Sequence, residues 1–348
     1  MKGLAKLARG EGHMDIIDIP EPTPPAGWVK MEIKVAGICG SDLHIYHDDI
    51  DFIMKPPCVA GHEFSGVVAE VGEGVTNCKV GDHVVCEPSI EICGECLYCR
   101  TGNYNMCPER KSIGFYAHGT FTNYMIMPAY RVHHISETLP YEQAALIEPL
   151  ACVCHGVLER VHIRPTDTVL VSGPGPIGLL TMQVAKSCGA TVYVSGTGRD
   201  AERLALAKEL GADEVFDVNA CDIQKEIYAR THGLGVDVLL EASGFPGAIN
   251  SALTLVRRQG QFLLIGLPSK PFEVDFSRLA YREINATGCL SSRWETWEMA
   301  IHLVESGKVN VEKLVSHRYS IADWKEAFER FDSKDCLKIL LYPLPMED

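Results

Sequence analysis

The spacing of apolar residues changes partway along the chain and predicts two kinds of structure. Between residues 30 and 87, short apolar runs are separated by Gly, Pro and Asp, which is typical of short β-strands joined by turns. From residue 168 onward, short apolar runs alternate with stretches whose apolar positions follow helical spacing. The first pattern predicts a β-rich, barrel-like domain, and the second predicts an α/β domain with a doubly wound parallel sheet.

The alternating region predicts strands and helices in turn. The strands are DTVLVSG, TVYVSG, EVFDV, VDVLLEAS and QFLLIGL, and the helices lie at 182–187, 201–210, 222–230 and 247–256. After residue 284 the chain reads INATGCL, followed by two helical runs and the closing strand KILLYP. We assign this tail to the first domain, and an appendage of the sheet domain is the alternative. The predicted domains are therefore 1–150, 151–288 and, returning to the first domain, 289–348.

The net charge of −14, from 32 Lys and Arg against 46 Asp and Glu, makes a phosphate backbone or an anionic lipid surface an unfavourable partner. We therefore expect no nucleic-acid partner. A bound anionic cofactor stays compatible with this charge, because backbone N–H groups and local cations can hold a phosphate. The chain start lacks the apolar core of a signal peptide, and no apolar stretch has the ~20 residues of a membrane helix. We expect a cytoplasmic protein that does not span a membrane.

Fourteen cysteines in a chain without an export signal indicate metal or redox chemistry rather than disulfides. Four of them, Cys93, Cys96, Cys99 and Cys107, fall in one polar loop at 93–107. Four thiolates at this spacing fit a closed tetrahedral zinc site. An iron–sulfur cluster and ordinary buried thiols are the alternatives, and the polar loop argues against the thiols.

A second set of candidate ligands is dispersed along the chain: Cys39 in GICGSD, His62 and Glu63 in GHEFSG, and Glu148 in IEPL. One thiolate, one imidazole and one or two carboxylates would leave a zinc ion with room for water or a substrate oxygen, which is the composition of a catalytic site. Taken singly, each residue has an ordinary alternative, since a lone Cys is usually packing and a lone His is usually only hydrogen-bonded.

The segment VLVSGPGPIGLL contains a glycine pattern typical of dinucleotide binding. Gly173, Gly175 and Gly178 form GxGxxG, with Pro176 and Ile177 between the second and third glycines. The pattern follows a predicted strand and opens a predicted helix, which is the context that such a site requires. The first glycine allows a tight turn, the second admits a pyrophosphate, and the third lets helix and strand pack closely.

The end of the second strand of this domain bears on the choice of dinucleotide. Many such folds place Asp or Glu there to bind the ribose hydroxyls of NAD. This chain reads SGTGRD, with Gly196, Thr197, Gly198 and Arg199 where the acid is expected. A guanidinium beside an open space favours NADP over NAD. Asp200 reaching the ribose, or Arg199 stacking on adenine, are the alternatives.

Several motifs occur together in one order: GICGSDLHIY, GHEFSGVVAEVGEGV, GDHVV, the four-Cys loop, IEPLACVCHG and GPGPIG. In this order they resemble the zinc-containing medium-chain alcohol dehydrogenase family over essentially the whole chain. Within that family the chain is most similar to the polyol branch of sorbitol (L-iditol) dehydrogenases, with L-threonine 3-dehydrogenases second. The resemblance implies a GroES-like catalytic domain built from both chain ends, a Rossmann domain between them, and an active-site cleft at their junction. It also implies a homo-oligomer, either a dimer or a tetramer.

The resemblance assigns metal-binding roles to individual residues. Cys39, His62 and Glu63 match the catalytic-zinc positions of the family, and Glu148 matches the carboxylate that ligates zinc directly or holds its water. With the four-Cys loop, this implies two Zn²⁺ per chain.

Ser41 and His44 match the proton-relay positions of the family. A hydroxyl and an imidazole in series can carry an alcohol proton to solvent, although Ser followed by Asp is also a good helix cap. The implied reaction oxidises a small-molecule secondary alcohol, either a polyol or a sugar derivative, with transfer of hydride to NAD(P). The alternatives are an L-threonine 3-dehydrogenase-like enzyme, a non-catalytic zinc-stabilised dinucleotide sensor, and a zinc-free quinone reductase.

The chain departs from the sorbitol dehydrogenase pattern after the last strand of the sheet. That branch carries an Arg-Tyr pair there for polyol hydroxyls, whereas Ser291 and Ser292 stand at the matching positions and Arg293 lies one residue beyond. These three residues are the candidate substrate contacts. A different polyol, a sugar acid or another secondary alcohol is as compatible with them as sorbitol.

Overall fold

A computed structural model describes residues 1–49, 54–268 and 270–346. The described residues form two compact units. The first unit comprises Met1–Pro149, Ser292–Glu305 and Val311–Asp348, and the second comprises Leu150–Ser291 and Ser306–Asn310. The predicted domain limits at 150 and 288 lie near these bounds and stay a prediction.

The strands are numbered in chain order. They are β1 (Lys2–Lys6), β2 (Met14–Asp18), β3 (Trp28–Gly37), β4 (Cys58–Val59), β5 (Glu63–Val71), β6 (His83–Cys86), β7 (Ser89–Glu91), β8 (Lys111–Ser112), β9 (Tyr124–Pro128), β10 (Val132–His134), β11 (Thr168–Ser172), β12 (Thr191–Gly196), β13 (Glu214–Asp217), β14 (Val236–Glu241), β15 (Val256–Leu264), β16 (Asn285–Gly288), β17 (Val315–Ser320) and β18 (Lys338–Tyr342).

The α-helices follow the same convention. They are α1 (Gly40–His47), α2 (Leu97–Arg100), α3 (Tyr141–Ala144), α4 (Ile147–Cys154), α5 (Pro176–Ser187), α6 (Ala201–Glu209), α7 (Ile223–Arg230), α8 (Pro246–Leu255), α9 (Ser277–Arg282), α10 (Trp294–Glu305) and α11 (Trp324–Asp332). A π-helical stretch, His155–Arg160, follows α4 directly. Within the described residues, none of the helices is both long and apolar enough to cross a membrane.

The second unit is built on a parallel sheet. Its six strands lie in the order β13-β12-β11-β14-β15-β16, and each of the adjacent pairs is parallel. This is the order 3-2-1-4-5-6 of a dinucleotide-binding sheet, in which ligands bind beyond the carboxyl ends of the strands where the order reverses. The central strands are β-branched or leucine-rich and buried, as expected for a sheet covered on both faces. The structure confirms the predicted doubly wound sheet.

The first unit is rich in short β-strands. Its largest sheet has the order β10-β6-β5-β3-β18-β17, with β9 also paired to β3. Strand β18 joins this sheet by antiparallel pairing to β3, with Leu340 opposite Gly37 and Leu341 opposite Ala36. A buried apolar core covers the sheet and includes Phe64, Phe121 and Phe328. The C-terminal strand thereby lies in the same sheet as the strand that leads into α1.

The predicted strands and helices of the second unit agree with the structure apart from their ends. The largest differences are at two starts: α5 begins at Pro176 rather than at the predicted 182, and β15 begins at Val256, directly after α8, rather than at the predicted Gln261. Its first residues pair with β14 across a shift in register between Val236 and Val238. The hydrophobicity pattern does not predict the start of β15, because this part of the strand reads RRQG. Its residues Arg257, Arg258 and Gln259 are polar and at least partly exposed.

Candidate functional site

Helix α1 positions the first candidate metal ligand. Cys39 is its N-cap residue, and the Cys39 backbone N–H donates to Oδ2 of Asp42 at 2.8 Å. Asp42 is fully buried at the third helical position, so this capping box fixes the turn that presents the Cys39 thiol. Ser41 lies between them, half-buried, on the first turn of the helix.

His62 and Glu63 stand at the start of β5, close to α1. Nδ1 of His62 lies 3.7 Å from Oδ1 of Asp42, and Nε2 of His62 lies 3.3 Å from Oγ of Ser41. A carboxylate facing one imidazole nitrogen orients the ring and leaves the other nitrogen for a metal. Asp42 thus accepts from the Cys39 backbone N–H through Oδ2 and places Oδ1 beside Nδ1 of His62, beyond hydrogen-bond distance.

A buried cation holds the Glu63 carboxylate. The Lys338 ammonium donates to Oε1 of Glu63 at 2.5 Å, contacts Oε2 as well, and donates to the Ile38 carbonyl at 2.9 Å. Both side chains are almost completely buried. Burial lowers the pKa of Lys338, but the charge of Glu63 outweighs it, and the net effect is a raised pKa. Lys338 begins β18, so this ion pair depends on the pairing of the C-terminal strand.

The site carries more negative than positive charge. Donor atoms of Cys39, His62 and Glu63 all lie within 4.8 Å of one another. Burial lowers the pKa of His62, yet the charges of Cys39, Asp42 and Glu148 outweigh this effect and raise it to about 10. Negative groups that hold a proton on a buried imidazole would equally attract a metal cation. Sulfur, nitrogen and oxygen donors at this spacing fit zinc.

Glu148 and the two candidate relay residues lie around this group. Glu148 is buried in the first turn of α4, and its charge acts on both His62 and Lys338. His44 lies on α1, three residues after Ser41, and its Nδ1 is 2.7 Å from Oδ1 of Asp49. Helical residues three apart share a face, so both candidate relay groups project on one side of α1.

The four-Cys loop forms a separate group in the first unit. Donor atoms of Cys93, Cys96, Cys99 and Cys107 lie within 4.8 Å of one another, with Cys93 Sγ 3.6 Å from Cys107 Sγ. Backbone N–H groups of residues 93, 96 and 99 donate to sulfur atoms of this group, each at 3.4 Å. The backbone N–H of Cys96 is the main cause that lowers the pKa of Cys93 to about 7, which favours a thiolate. Four convergent sulfurs with backbone N–H support fit a closed zinc site.

The glycine pattern of the second unit has the geometry that dinucleotide binding requires. A β-carbon on Gly173 would lie 2.8 Å from the Ser243 side chain, and one on Gly178 would lie 1.8 Å from the Gly173 carbonyl oxygen. Gly175, the N-cap of α5, has open space where its β-carbon would stand. Pro176 and Ile177 then begin the helix, whose first N–H groups are free for a phosphate. The site therefore fits a pyrophosphate over Gly175.

The turn after β12 is held by its own side chains. Oδ2 of Asp200 accepts from the backbone N–H and the hydroxyl of Thr197, both at 2.9 Å. Oδ1 of Asp200 accepts from Arg203 at 3.3 Å. Gly198 and Arg199 are exposed on the same turn. The Asp200 carboxylate therefore stabilises the turn through hydrogen bonds to residues of the turn and of α6, and Arg199 is exposed to solvent.

The three candidate substrate residues have different surroundings. Ser291 is the last residue of the segment Leu150–Ser291 of the second unit and has a φ of 59°. Ser292 is buried in the first unit, where its hydroxyl accepts from Nε1 of Trp297 at 3.0 Å. Arg293 donates to Oδ1 of Asn103, within the four-Cys loop, at 3.4 Å. Ser292 thus helps to pack α10, and a substrate role for the three residues stays a prediction.

The sequence analysis did not identify Asp42 and Lys338, which contact the candidate ligands Cys39, His62 and Glu63. Asp42 left a local signal, since an acid three residues after a cap position is typical of a capping box. Lys338 left none, because it lies 275 residues from Glu63 along the chain.

Two metal-ligand groups in a β-rich unit, on the same chain as a Rossmann unit, define a metal- and dinucleotide-dependent oxidoreductase. Residues 25–137 match the alcohol dehydrogenase GroES-like domain, and residues 176–306 match the zinc-binding dehydrogenase domain. The chain belongs to the zinc-containing alcohol dehydrogenase family, as its motifs predicted.

Individual relatives agree with this assignment. A sorbitol dehydrogenase of Halalkalibacterium halodurans is 41% identical over 345 residues, which cover 99% of this chain and 100% of the relative. A D-arabitol-phosphate dehydrogenase of Enterococcus avium is 40% identical over 348 residues, covering 100% and 99%. A solved structure from Sinorhizobium meliloti 1021, described as a zinc-binding dehydrogenase bound to NADP, has a TM-score of 0.91 at 29% identity, over 98% of this chain and 99% of that one. These similarities confirm the predicted family and its oxidoreductase class.

Proposed function

We propose that this enzyme oxidises a secondary alcohol group of a polyol or a polyol phosphate and transfers the hydride to NAD(P). The observation that carries the proposal is the convergence of the Cys39, His62 and Glu63 donor atoms within 4.8 Å in a negatively charged site. The relatives that act on sorbitol and on D-arabitol phosphate support this substrate class. The reaction takes a proton and a hydride from the substrate, so the site must bind the alcohol, remove the proton and present the carbon to the nicotinamide.

Two metal sites are part of the proposal. Cys39, His62 and Glu63 would hold a catalytic zinc with Glu148 beside them, and the four cysteines of the 93–107 loop would hold a structural zinc. When bound at the first site, zinc acts as a Lewis acid toward the alcohol oxygen. The Asp42 carboxylate faces Nδ1 of His62, and Lys338 pairs with Glu63, so a charged partner stands beside each of the two ligands.

Ser41 and His44 move the proton in this proposal. The Ser41 hydroxyl lies beside Nε2 of His62, where it can accept the alcohol proton as it gives its own to the relay. His44 receives the proton and releases it to solvent, and the hydrogen bond to Asp49 holds its ring during the transfer.

The second unit would bind the dinucleotide through Gly173, Gly175 and Gly178, with the pyrophosphate at the start of α5. The exposed Arg199 guanidinium favours NADP over NAD, because it can pair with a 2′-phosphate. One solved neighbour is bound to NADP and another to NADH, so the proposed preference rests on Arg199.

Replacing Gly175 with Ala tests the dinucleotide site. The backbone φ of −72° suits Ala and the space is open, so the fold is expected to stay intact. The added methyl group would occupy the position of the pyrophosphate, and the Kd of NADH, measured by fluorescence titration, should rise about ten-fold. Gly288→Ala, at the end of β16, is the matched control. Unchanged affinity in the Gly175→Ala variant would refute this position for the pyrophosphate.

A substrate panel with metal analysis tests the function directly. Four- to six-carbon polyols, sugar acids, polyol phosphates and L-threonine are each offered with NAD and with NADP, with and without a chelator. We expect two zinc ions per chain and chelator-sensitive oxidation of a polyol or a polyol phosphate. Turnover of L-threonine alone would move the enzyme to the threonine dehydrogenase class. One zinc ion without any turnover would favour the dinucleotide sensor.

We also propose a cytoplasmic homo-oligomer, either a dimer or a tetramer. In the second unit Leu267, Phe276 and Tyr281 are 58%, 68% and 81% exposed, and β16 is an end strand of the sheet. Exposed large apolar side chains near a sheet edge are typical of an interface. All fourteen cysteines are free of disulfides, which fits a reducing compartment. Light scattering gives the mass in solution, and a monomer would refute the assembly.

A further inference from the structure

The carboxyl end of β13 brings an acid to the place where β12 ends. The two strands pair in parallel with Gly196 opposite Asp217, so the last residues of both strands lie side by side. In dinucleotide-binding sheets the adenosine ribose lies at the end of the second strand, which is β12 here. Asp217 therefore stands at the ribose position, although it belongs to the neighbouring strand.

The Asp217 carboxylate faces Gly198, two residues after the end of β12 and among the residues that stand where an acid is usual. A β-carbon on Gly198 would lie 3.2 Å from Oδ2 of Asp217. Oδ1 of Asp217 accepts the backbone N–H of Asn219 at 2.9 Å, which fixes the carboxylate with Oδ2 toward Gly198. The space left by the missing side chain at 198 is thus bordered by a carboxylate oxygen.

Asp200, the other acid near this turn, already accepts hydrogen bonds through both carboxylate oxygens. Asp200 binds Thr197 through Oδ2 and Arg203 through Oδ1. Arg199 is exposed and has no ion-pair partner among the described residues. Two charges of opposite sign, Arg199 and Asp217, therefore stand near the 2′ position of a bound dinucleotide.

We propose that Asp217 is a specificity-determining residue for the dinucleotide. Its carboxylate accepts a hydrogen bond from the ribose 2′-hydroxyl of NAD and repels the 2′-phosphate of NADP. Arg199 acts in the opposite direction, so Asp217 limits the preference for NADP that Arg199 favours. The inference rests on the proposed use of NAD(P) by this enzyme.

The test compares the binding of NADH and NADPH to the zinc-loaded enzyme by fluorescence titration at constant salt. Asp217→Asn keeps an acceptor for the Asn219 N–H and removes the charge. We expect the ratio of the NADH Kd to the NADPH Kd to rise about ten-fold in this variant. Asp217→Ser is the second variant, and it should change the ratio in the same direction.

Asp222→Asn is the matched control, because it removes a nearby exposed charge while an Asn can still cap α7. An unchanged ratio in both Asp217 variants, or an equal change in the control, would overturn the role of Asp217. Wild-type enzyme that binds neither NADH nor NADPH would overturn the proposed function, and the inference with it. If the wild type binds both nucleotides and the Asp217 variants leave the ratio unchanged, the role of Asp217 fails while the proposed function stands.

Discussion

Cys39→Ala is expected to reduce kcat/KM by about a thousand-fold or more, which corresponds to ~4 kcal/mol of lost transition-state stabilisation. The variant removes the sulfur from the group in which donor atoms of Cys39, His62 and Glu63 converge within 4.8 Å. Glu63 keeps its pairing with Lys338, and Asp42 still faces His62 at 3.7 Å, although His62 loses its contact with the thiol. Two donors are too few to hold zinc in a catalytic site.

Metal content and the Kd of NADH are measured together with activity. Metal analysis should fall from two zinc ions per chain to one, while the Kd of NADH should stay within a factor of about two of wild type. Cys221→Ala, which removes a half-buried thiol from the second unit, is the control for loss of a cysteine. Full activity of Cys39→Ala would rule out this group as the catalytic metal site.

Lys338→Met is expected to lower the free energy of unfolding by about 3 to 5 kcal/mol in the metal-free enzyme. The substitution leaves Glu63, which is fully buried, without the ammonium group that pairs with its carboxylate. It also removes the hydrogen bond to the Ile38 carbonyl, one residue before Cys39. A buried charge without a partner costs far more than an exposed ion pair contributes.

Urea unfolding of the metal-free and the zinc-loaded variant checks this prediction. Zinc at the first site would replace part of the lost positive charge, so the difference from wild type should be smaller in the loaded enzyme. Lys79→Met removes a lysine whose side chain is 86% exposed, and it should change stability by less than about 1 kcal/mol. Equal stability losses in the two variants would show that the Lys338 pair contributes no more than a surface pair.

Local sequence patterns predicted most strands and helices of the second unit. They also predicted the strand before the GxGxxG turn and the helix after it. The alternation of strands and helices predicted a parallel, doubly wound sheet. Strands and helices can be told apart in the sequence because apolar residues repeat with a different spacing in each. The strand β17 was not predicted, since its residues Val315–Ser320 alternate between exposed and half-buried positions and carry no long apolar run. The start of β15 was missed for the same reason.

The four-Cys group and the GxGxxG turn follow from the sequence by itself, because each lies within one short segment whose spacing limits its geometry. Cys93 and Cys107 are only 14 positions apart, whereas Lys338 and Glu63 are 275 apart. The pairing of β18 with β3 and the pairing of β13 with β12 were decided by the tertiary structure alone. Those pairings bring Lys338 to Glu63 and Asp217 to Gly198. Charges that meet only across neighbouring strands leave no local pattern, because the sheet rather than the chain makes them neighbours.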